Sequence, residues 1–337
     1  NIEHAVPNSP QTVFRLGSIT KQFTGMAIAM LQERGRLSVG DPICKYFSDC
    51  PASWQPITVK HLLTHTSGIP SYTGQPGFFE NVSRNPYKVD DFVKKYASGD
   101  MEFEPGSKYS YNNSGYFLLG AIIERVTGKP YEQVLKANIF DPAGMKNTGY
   151  DHHATIIPKR SSGYNKTPDG YSNAPYLDMS IPYAAGSLYS TVEDLYLWDQ
   201  ALYTDKLLPA AAKQIMWTPF LENYAYGWNI AAASPATFGH RRMVHGGGIN
   251  GFSANIIRVP DSNVTVIVLS NNEGANASAR ARELLATFGL GDVAEACVEA
   301  FATRERITWV EALERCDERV EHEPADAGPS RDDFDEQ

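Results

Sequence analysis

Four cysteines in 337 residues are too few to staple a fold. No apolar run reaches the ~18 residues that a membrane-spanning helix requires. Basic residues are short as well: 30 Lys and Arg stand against 39 Asp and Glu, and they gather into no stripe. A chain with a net charge of −9 is a poor match for nucleic-acid phosphates, which demand clustered Lys and Arg. A Gly-x-Ser-x-Gly elbow is missing, which excludes the usual α/β-hydrolase route, and no internal repeat or low-complexity tract occurs. The start lacks the charged and apolar segments of a signal peptide; because it is Asn1 rather than Met, it reads as a processed or truncated end and leaves the compartment open.

What is present is ordinary for a globular chain of one large domain or two interleaved ones, 42% hydrophobic and 20% charged. After Ser18, the residues Ile19, Phe23, Met26, Ala27, Met30 and Leu31 recur at the spacing of one buried helical stripe, and Gly35 supplies a stop. Short helices are predicted at 58–65, 89–97, 114–126, 131–138 and 192–203, the last with a capping box from Ser190 and Glu193. Beyond Met216 the pattern turns to strands at 226–231, 238–244, 253–259 and 264–270, an antiparallel meander, followed by a helix at 275–288. The fold class is therefore α+β: an antiparallel sheet flanked by helices, residues 1–35 and 204–290, plus a mainly helical region, 36–203. A helical extension over 291–320 and an acidic, disordered tail over 321–337 complete the expected layout. Cys44 and Cys50 lie six apart in a Pro-bounded loop and could close a ring under oxidising conditions. Cys297 and Cys316 would stand ~28 Å apart on one continuous helix. Free, mostly buried thiols are the expectation.

Three short elements carry chemistry. In Ser18-Ile19-Thr20-Lys21 a hydroxyl at a helix start has an amine one turn away on the same face, beside free backbone amides that favour developing negative charge. Desolvation would lower the Lys21 pKa toward that of a useful base. In Tyr111-Asn112-Asn113, just before a second helix, a tyrosinate near cations can serve as base, and an Asn can accept from the lysine and donate to a substrate carbonyl. In His245-Gly246-Gly247-Gly248 the glycines let a strand approach a bound acyl group closely enough to lend an amide to an oxyanion hole.

In this order and at these separations the three elements resemble the Ser-x-x-Lys, Tyr-x-Asn and Lys/His-x-Gly motifs of the serine β-lactamase and penicillin-binding protein superfamily. That superfamily includes class C β-lactamases, D-alanyl-D-alanine carboxypeptidases, D-aminopeptidases and family VIII carboxylesterases. The likeness runs from about residue 2 to 290 and takes in Leu62-Leu63-Thr64-His65-Thr66-Ser67-Gly68 and Tyr226-Gly227-Trp228. It implies the β-lactamase/transpeptidase-like fold and a division of labour. Ser18 would attack, Lys21 and Tyr111 would share its proton, and Asn113 would orient lysine and substrate. His245, where β-lactamases carry a lysine, would support the Tyr111 proton network and hold a substrate carboxylate. The amides of Ser18 and Gly248, with Gly247 alongside, would bind the oxyanion and substrate. Only seventeen residues precede Ser18, so the N-terminal strands of the sheet are expected to be missing, which leaves an open edge where a homo-oligomer could form.

Other patterns are weaker. Gly246-x-Gly248-x-x-Gly251 leads into a strand rather than the helix a dinucleotide site needs. His61 and His65 share helical spacing but lack the Glu of a metalloprotease, and read as a packed or hydrogen-bonded pair. Neither metal nor cofactor is called for. The expected activity is that of a peptidase or carboxypeptidase on D-amino-acid peptides through an acyl-enzyme, then a carboxylesterase, then a β-lactamase; a covalent penicillin sensor or scaffold is the non-enzymatic alternative. Partners are small peptide, ester or β-lactam substrates, in a periplasmic or secreted setting.

Overall fold

The helix that follows Ser18 organises everything around it. In the computed structural model, which describes residues 1–97 and 99–290, a 3-10 turn at Gly17–Ile19 leads into α1, Thr20–Glu33. One buried stripe was expected; instead every residue from Thr20 to Leu31 is buried. The polar members of that run, which lie off the predicted stripe, find partners inside the protein, Gln22 through its oxygen alone. Thr24 Oγ1 donates to the Ala184 carbonyl at 2.7 Å and accepts from the Tyr131 hydroxyl at 2.7 Å, while Gln22 Oε1 accepts from Trp198 Nε1 at 3.0 Å. Each pairing offsets the cost of taking a polar group out of water.

Nine strands are described, in three antiparallel groups. β1 (Phe14–Arg15), β2 (Gly149–Tyr150) and β5 (Leu188–Ser190) form a small sheet in the order β1-β5-β2. β3 (Tyr164–Thr167) and β4 (Gly170–Asn173) form a hairpin. The main sheet is the predicted meander, β6 (Asn229–Ala231), β7 (Arg242–Ile249), β8 (Phe252–Val259) and β9 (Val264–Ser270), in sequential order. The four strands between Gly149 and Ser190 fall in the stretch read as mainly helical. They are two to four residues long and rich in Gly, Asn and Ser, too short for a period-two signal. β7 also differs from expectation. It starts at Arg242, after a turn that puts Phe238 at φ 54°, and continues through the glycines, pairing Gly246, Gly247 and Gly248 with Asn255, Ala254 and Ser253.

The helices Val59–Leu63, Val89–Tyr96, Asn113–Thr127, Tyr131–Leu135 and Val192–Leu202 follow the predicted spans, the fourth continuing as a π turn over Lys136–Phe140. The cap of Val192–Leu202 is Thr191, whose hydroxyl accepts from the Asp194 amide at 3.1 Å; Ser190 pairs instead with Thr148 Oγ1 at 2.7 Å. Cys44 and Cys50 are joined in a disulfide, Cα to Cα 5.3 Å, contrary to the free thiols expected. Asp199 and Arg258 form a buried ion pair between the Val192–Leu202 helix and β8, with Thr265 Oγ1 donating to the same carboxylate oxygen at 2.7 Å. Cys297, Cys316, the extension and the tail lie outside the described residues.

Candidate active site

Ser18 sits in the 3-10 turn ahead of α1, held against β7 with no side chain between the two backbones. A Cβ at Gly247 would stand 2.0 Å from the Leu16 carbonyl oxygen, and one at Gly17, which has φ 53°, would stand 2.8 Å from the Gly248 carbonyl oxygen. Glycine at both positions is what lets the strand reach Ser18. Gly248 is exposed at this wall, and the Ser18 amide lies 3.3 Å from where a Gly247 Cβ would be.

Lys21 reaches Ser18 as the one-turn spacing requires, Nζ to Oγ 3.0 Å. Its other partners are Asn113 Oδ1 at 2.9 Å and the Ala185 carbonyl at 2.9 Å, and its side chain is buried. Burial holds the ammonium pKa well below its usual value. In the neutral amine, two N–H bonds satisfy Asn113 and Ala185 and the lone pair is left facing the Ser18 hydroxyl. The three acceptors would equally satisfy the three N–H donors of an ammonium; it is burial that favours the neutral amine.

Tyr111 and Asn113 are delivered by a loop clamped onto the segment 65–73. The Ser110 amide donates to the His65 carbonyl at 2.9 Å and the Asn112 amide to His65 Nδ1 at 3.0 Å. Asn112 donates onward to the Ile69 carbonyl, and Asn113 Nδ2 donates to Thr73 Oγ1 at 3.1 Å. His65 is buried among Tyr111, Tyr116 and Tyr224, with ring centroids 4.3, 5.0 and 4.5 Å away, and its backbone adopts φ 56°. A non-glycine residue held there stores strain that surrounding structure must over-determine. Tyr111 lies with its ring 4.8 Å from Lys21 Nζ. Desolvation raises its phenol pKa, opposed by its interaction with Ser18, so the neutral phenol rather than a tyrosinate is favoured at rest.

His245 departs most from expectation. Its Nδ1 faces the Gly246 carbonyl at 2.6 Å and must therefore carry the proton, which leaves Nε2 to accept from the Tyr224 hydroxyl at 2.8 Å. Burial first, and the nearby Lys21 second, lower its pKa to about 4. The imidazole is neutral, both nitrogens are engaged, and its ring centroid is 6.3 Å from that of Tyr111. A cation for a substrate carboxylate is therefore not supplied at this position.

The predicted residues converge, although the predicted histidine pair does not exist. His61 Nδ1 accepts from the Thr58 amide at 3.2 Å in a helix cap, away from the tyrosines that surround His65. Reading residues alone missed His65 as the clamp, Tyr224 as the partner of His245, the Ala185 carbonyl and Thr73. The Leu62-to-Gly68 stretch was a signal for the first; a backbone carbonyl leaves no signal at all. The site opens on a cavity of about 440 Å³ lined by Ser18, Asn113 and Gly248, by the apolar side chains of Phe78, Phe79, Leu177 and Ile181, and by Glu273.

This fold and site define a serine-nucleophile hydrolase class, and comparison with known proteins gives its family. The family model described as Beta-lactamase matches residues 1–289, so the chain belongs to the beta-lactamase family. Penicillin-binding protein 4* of Bacillus subtilis (strain 168) is 33% identical over 291 residues, covering 79% of this chain; the chain spans 62% of that relative's length. Among solved structures, a penicillin-binding protein from Bacillus halodurans superimposes with a TM-score of 0.75 at 29% identity, over 86% of this chain and 88% of that one. A D-stereospecific amidohydrolase from Streptomyces sp. gives 0.70 at 30% identity, over 82% and 87%.

Proposed function

We propose that the chain is a serine hydrolase that works through an acyl-enzyme on Ser18 and acts on peptides and amides of D-amino acids. The observation that carries this reading is the buried Lys21 Nζ, 3.0 Å from Ser18 Oγ, with its remaining hydrogen-bonding capacity taken by Asn113 and Ala185. In the proposed cycle the lone pair of Lys21 takes the Ser18 proton as Oγ attacks the substrate carbonyl. The amides of Ser18 and Gly248 take the developing oxyanion, an interaction whose loss typically costs about 3 kcal/mol of barrier. The Tyr111 phenol, which faces Ser18, passes a proton toward the leaving amine, and water then cleaves the acyl-enzyme with the same groups acting in reverse. Asn113 holds Lys21 through Oδ1, and His245 braces the strand through Tyr224 and Gly246.

Amides and the N-terminal D-residues of peptides, rather than β-lactams or the C-terminal residues of peptides, are favoured by the neutral His245, since a penicillin or a peptide C-terminus presents a carboxylate that a fixed cation would recognise. The similarity to a D-stereospecific amidohydrolase supports the stereochemical part. Among the described residues no helix is long and apolar enough to cross a membrane. The Cys44–Cys50 disulfide supports a periplasmic or secreted setting, where such bonds persist. The test is a panel: a D-alanyl peptide, a short-chain p-nitrophenyl ester and a chromogenic cephalosporin, with Ser18→Ala as control. Turnover of the D-peptide that disappears in Ser18→Ala is the expected result. Turnover confined to the ester would replace the reading by a carboxylesterase, and a long-lived benzylpenicillin adduct by mass spectrometry without any turnover would replace it by a penicillin sensor.

A further inference from the structure

We infer that Glu273 makes the Ser18 cavity selective for substrates whose acyl portion carries an ammonium group. The inference rests on the acyl-enzyme reading above and adds the charge of the group that enters. Among the described residues lining the cavity, Glu273 is the single charged side chain. It opens the short 3-10 turn Glu273–Ala275 that follows β9. Its Oε2 accepts from the Gly251 amide at 3.0 Å, at the tip of the β7–β8 hairpin three residues beyond Gly248. The Asn165 side chain, oriented so that both its amide atoms are satisfied, donates to the same oxygen at 2.9 Å. Oε1 takes no hydrogen bond among the described residues. The carboxylate is thus held in place through one oxygen and offers the other.

The rest of the cavity does nothing to balance that charge. Lys21 is buried with its amine committed to Ser18, Asn113 and Ala185, and the imidazole of His245 is neutral. Phe78, Phe79, Leu177 and Ile181 supply apolar walls, while Glu273 itself stands exposed to solvent at the cavity, which tempers the strength of its charge. The group that stays attached to Ser18 in the acyl-enzyme shares this space with the carboxylate. A free ammonium on it gains a charge-assisted hydrogen bond, whereas a carboxylate meets repulsion with no cation to relieve it.

The test is a charge series on one scaffold: D-alanine p-nitroanilide, its N-acetyl form and its N-succinyl form, assayed with the wild type, Glu273→Gln and Glu273→Lys. Gln keeps an oxygen for the Gly251 amide, and thermal melts of the three proteins check folding. Preference is read as the ratio of kcat/KM between substrates within each protein, so a general loss of activity cancels. The wild type should favour the free ammonium over the N-acetyl form by about tenfold or more, the range of one charge-assisted hydrogen bond. The order should run ammonium, acetyl, succinyl; Glu273→Gln should flatten it and Glu273→Lys should raise the succinyl substrate. A ratio unchanged in Glu273→Gln, or a wild type blind to charge, overturns the inference. If no anilide is cleaved, the amide reading falls by itself, and the series is repeated on methyl esters of the same acyl groups. There the same ranking sustains the inference and a flat ranking overturns it. Failure of both substrate sets removes the acyl-enzyme reading and this inference with it.

Discussion

Acidifying the protein should expose His245 as a latent destabilising group. With Nδ1 donating to the Gly246 carbonyl and Nε2 accepting from Tyr224, a second proton on the ring must reverse the Tyr224 hydrogen bond, puts a charge in a buried setting and lies close to Lys21. The folded pKa is about 4 against an ordinary 6.5. Between those values the unfolded chain binds a proton that the native site refuses. Stability therefore rises with pH across that window and is lost as pH falls through it. At about 1.4 kcal/mol per pH unit, the full penalty below pH 4 is about 3 kcal/mol. His65, also held well below its ordinary value by burial, pushes in the same direction, so the effect of His245 must be read as a difference. Urea melts of the wild type and of His245→Gln from pH 7 to pH 4 supply it: the wild type should lose about 3 kcal/mol more than the variant over this range. Parallel loss in both proteins would refute the argument that this imidazole is buried in its neutral form. The same reasoning removes His245 from the activity profile. In the proposed cycle a rate that rises through neutral pH toward alkaline is assigned to Lys21, whose amine would have to be unprotonated to take the Ser18 proton.

Lys21→Met should keep the fold and lower the acylation rate by about 10²- to 10⁴-fold, the range of one general base, measured as the pre-steady-state burst on an activated ester. Gly247→Ala puts a methyl 2.0 Å from the Leu16 carbonyl oxygen, so the Ser18 turn must shift; acylation should be lost while circular dichroism is retained, and normal kinetics would contradict the close approach. Asp199→Ala leaves Arg258 buried without its carboxylate and should cost about 3–5 kcal/mol in a denaturant melt. Reducing the Cys44–Cys50 bridge releases a short loop and should cost about 2 kcal/mol, seen as a lower melting temperature in dithiothreitol.

The Ser18–Lys21 pair proposed as nucleophile and base was readable in the chain because helical geometry alone places residue 21 one turn above residue 18, and the meander was readable because each strand carries its own pattern between turn residues. The glycines of β7 were readable as a close approach, but not what they approach. Tertiary structure decided the rest, because burial and protonation depend on groups far away in sequence. Thr20, Gln22 and Thr24 lie off the predicted apolar stripe, and only the fold brings Leu188, Trp198, Tyr131 and Ala184 to pair them, as it brings Asn113 and Ala185 to Lys21. His65 looks like the mate of His61 until a left-handed backbone turns it among tyrosines, where it clamps the loop that carries Tyr111. His245 looks like a stand-in for a cation until Tyr224 and Gly246 occupy both its nitrogens in a dry setting. Local spacing chooses which side chains can meet within one turn of helix; only packing sets the dielectric and the partners that determine what charge each one carries when they do.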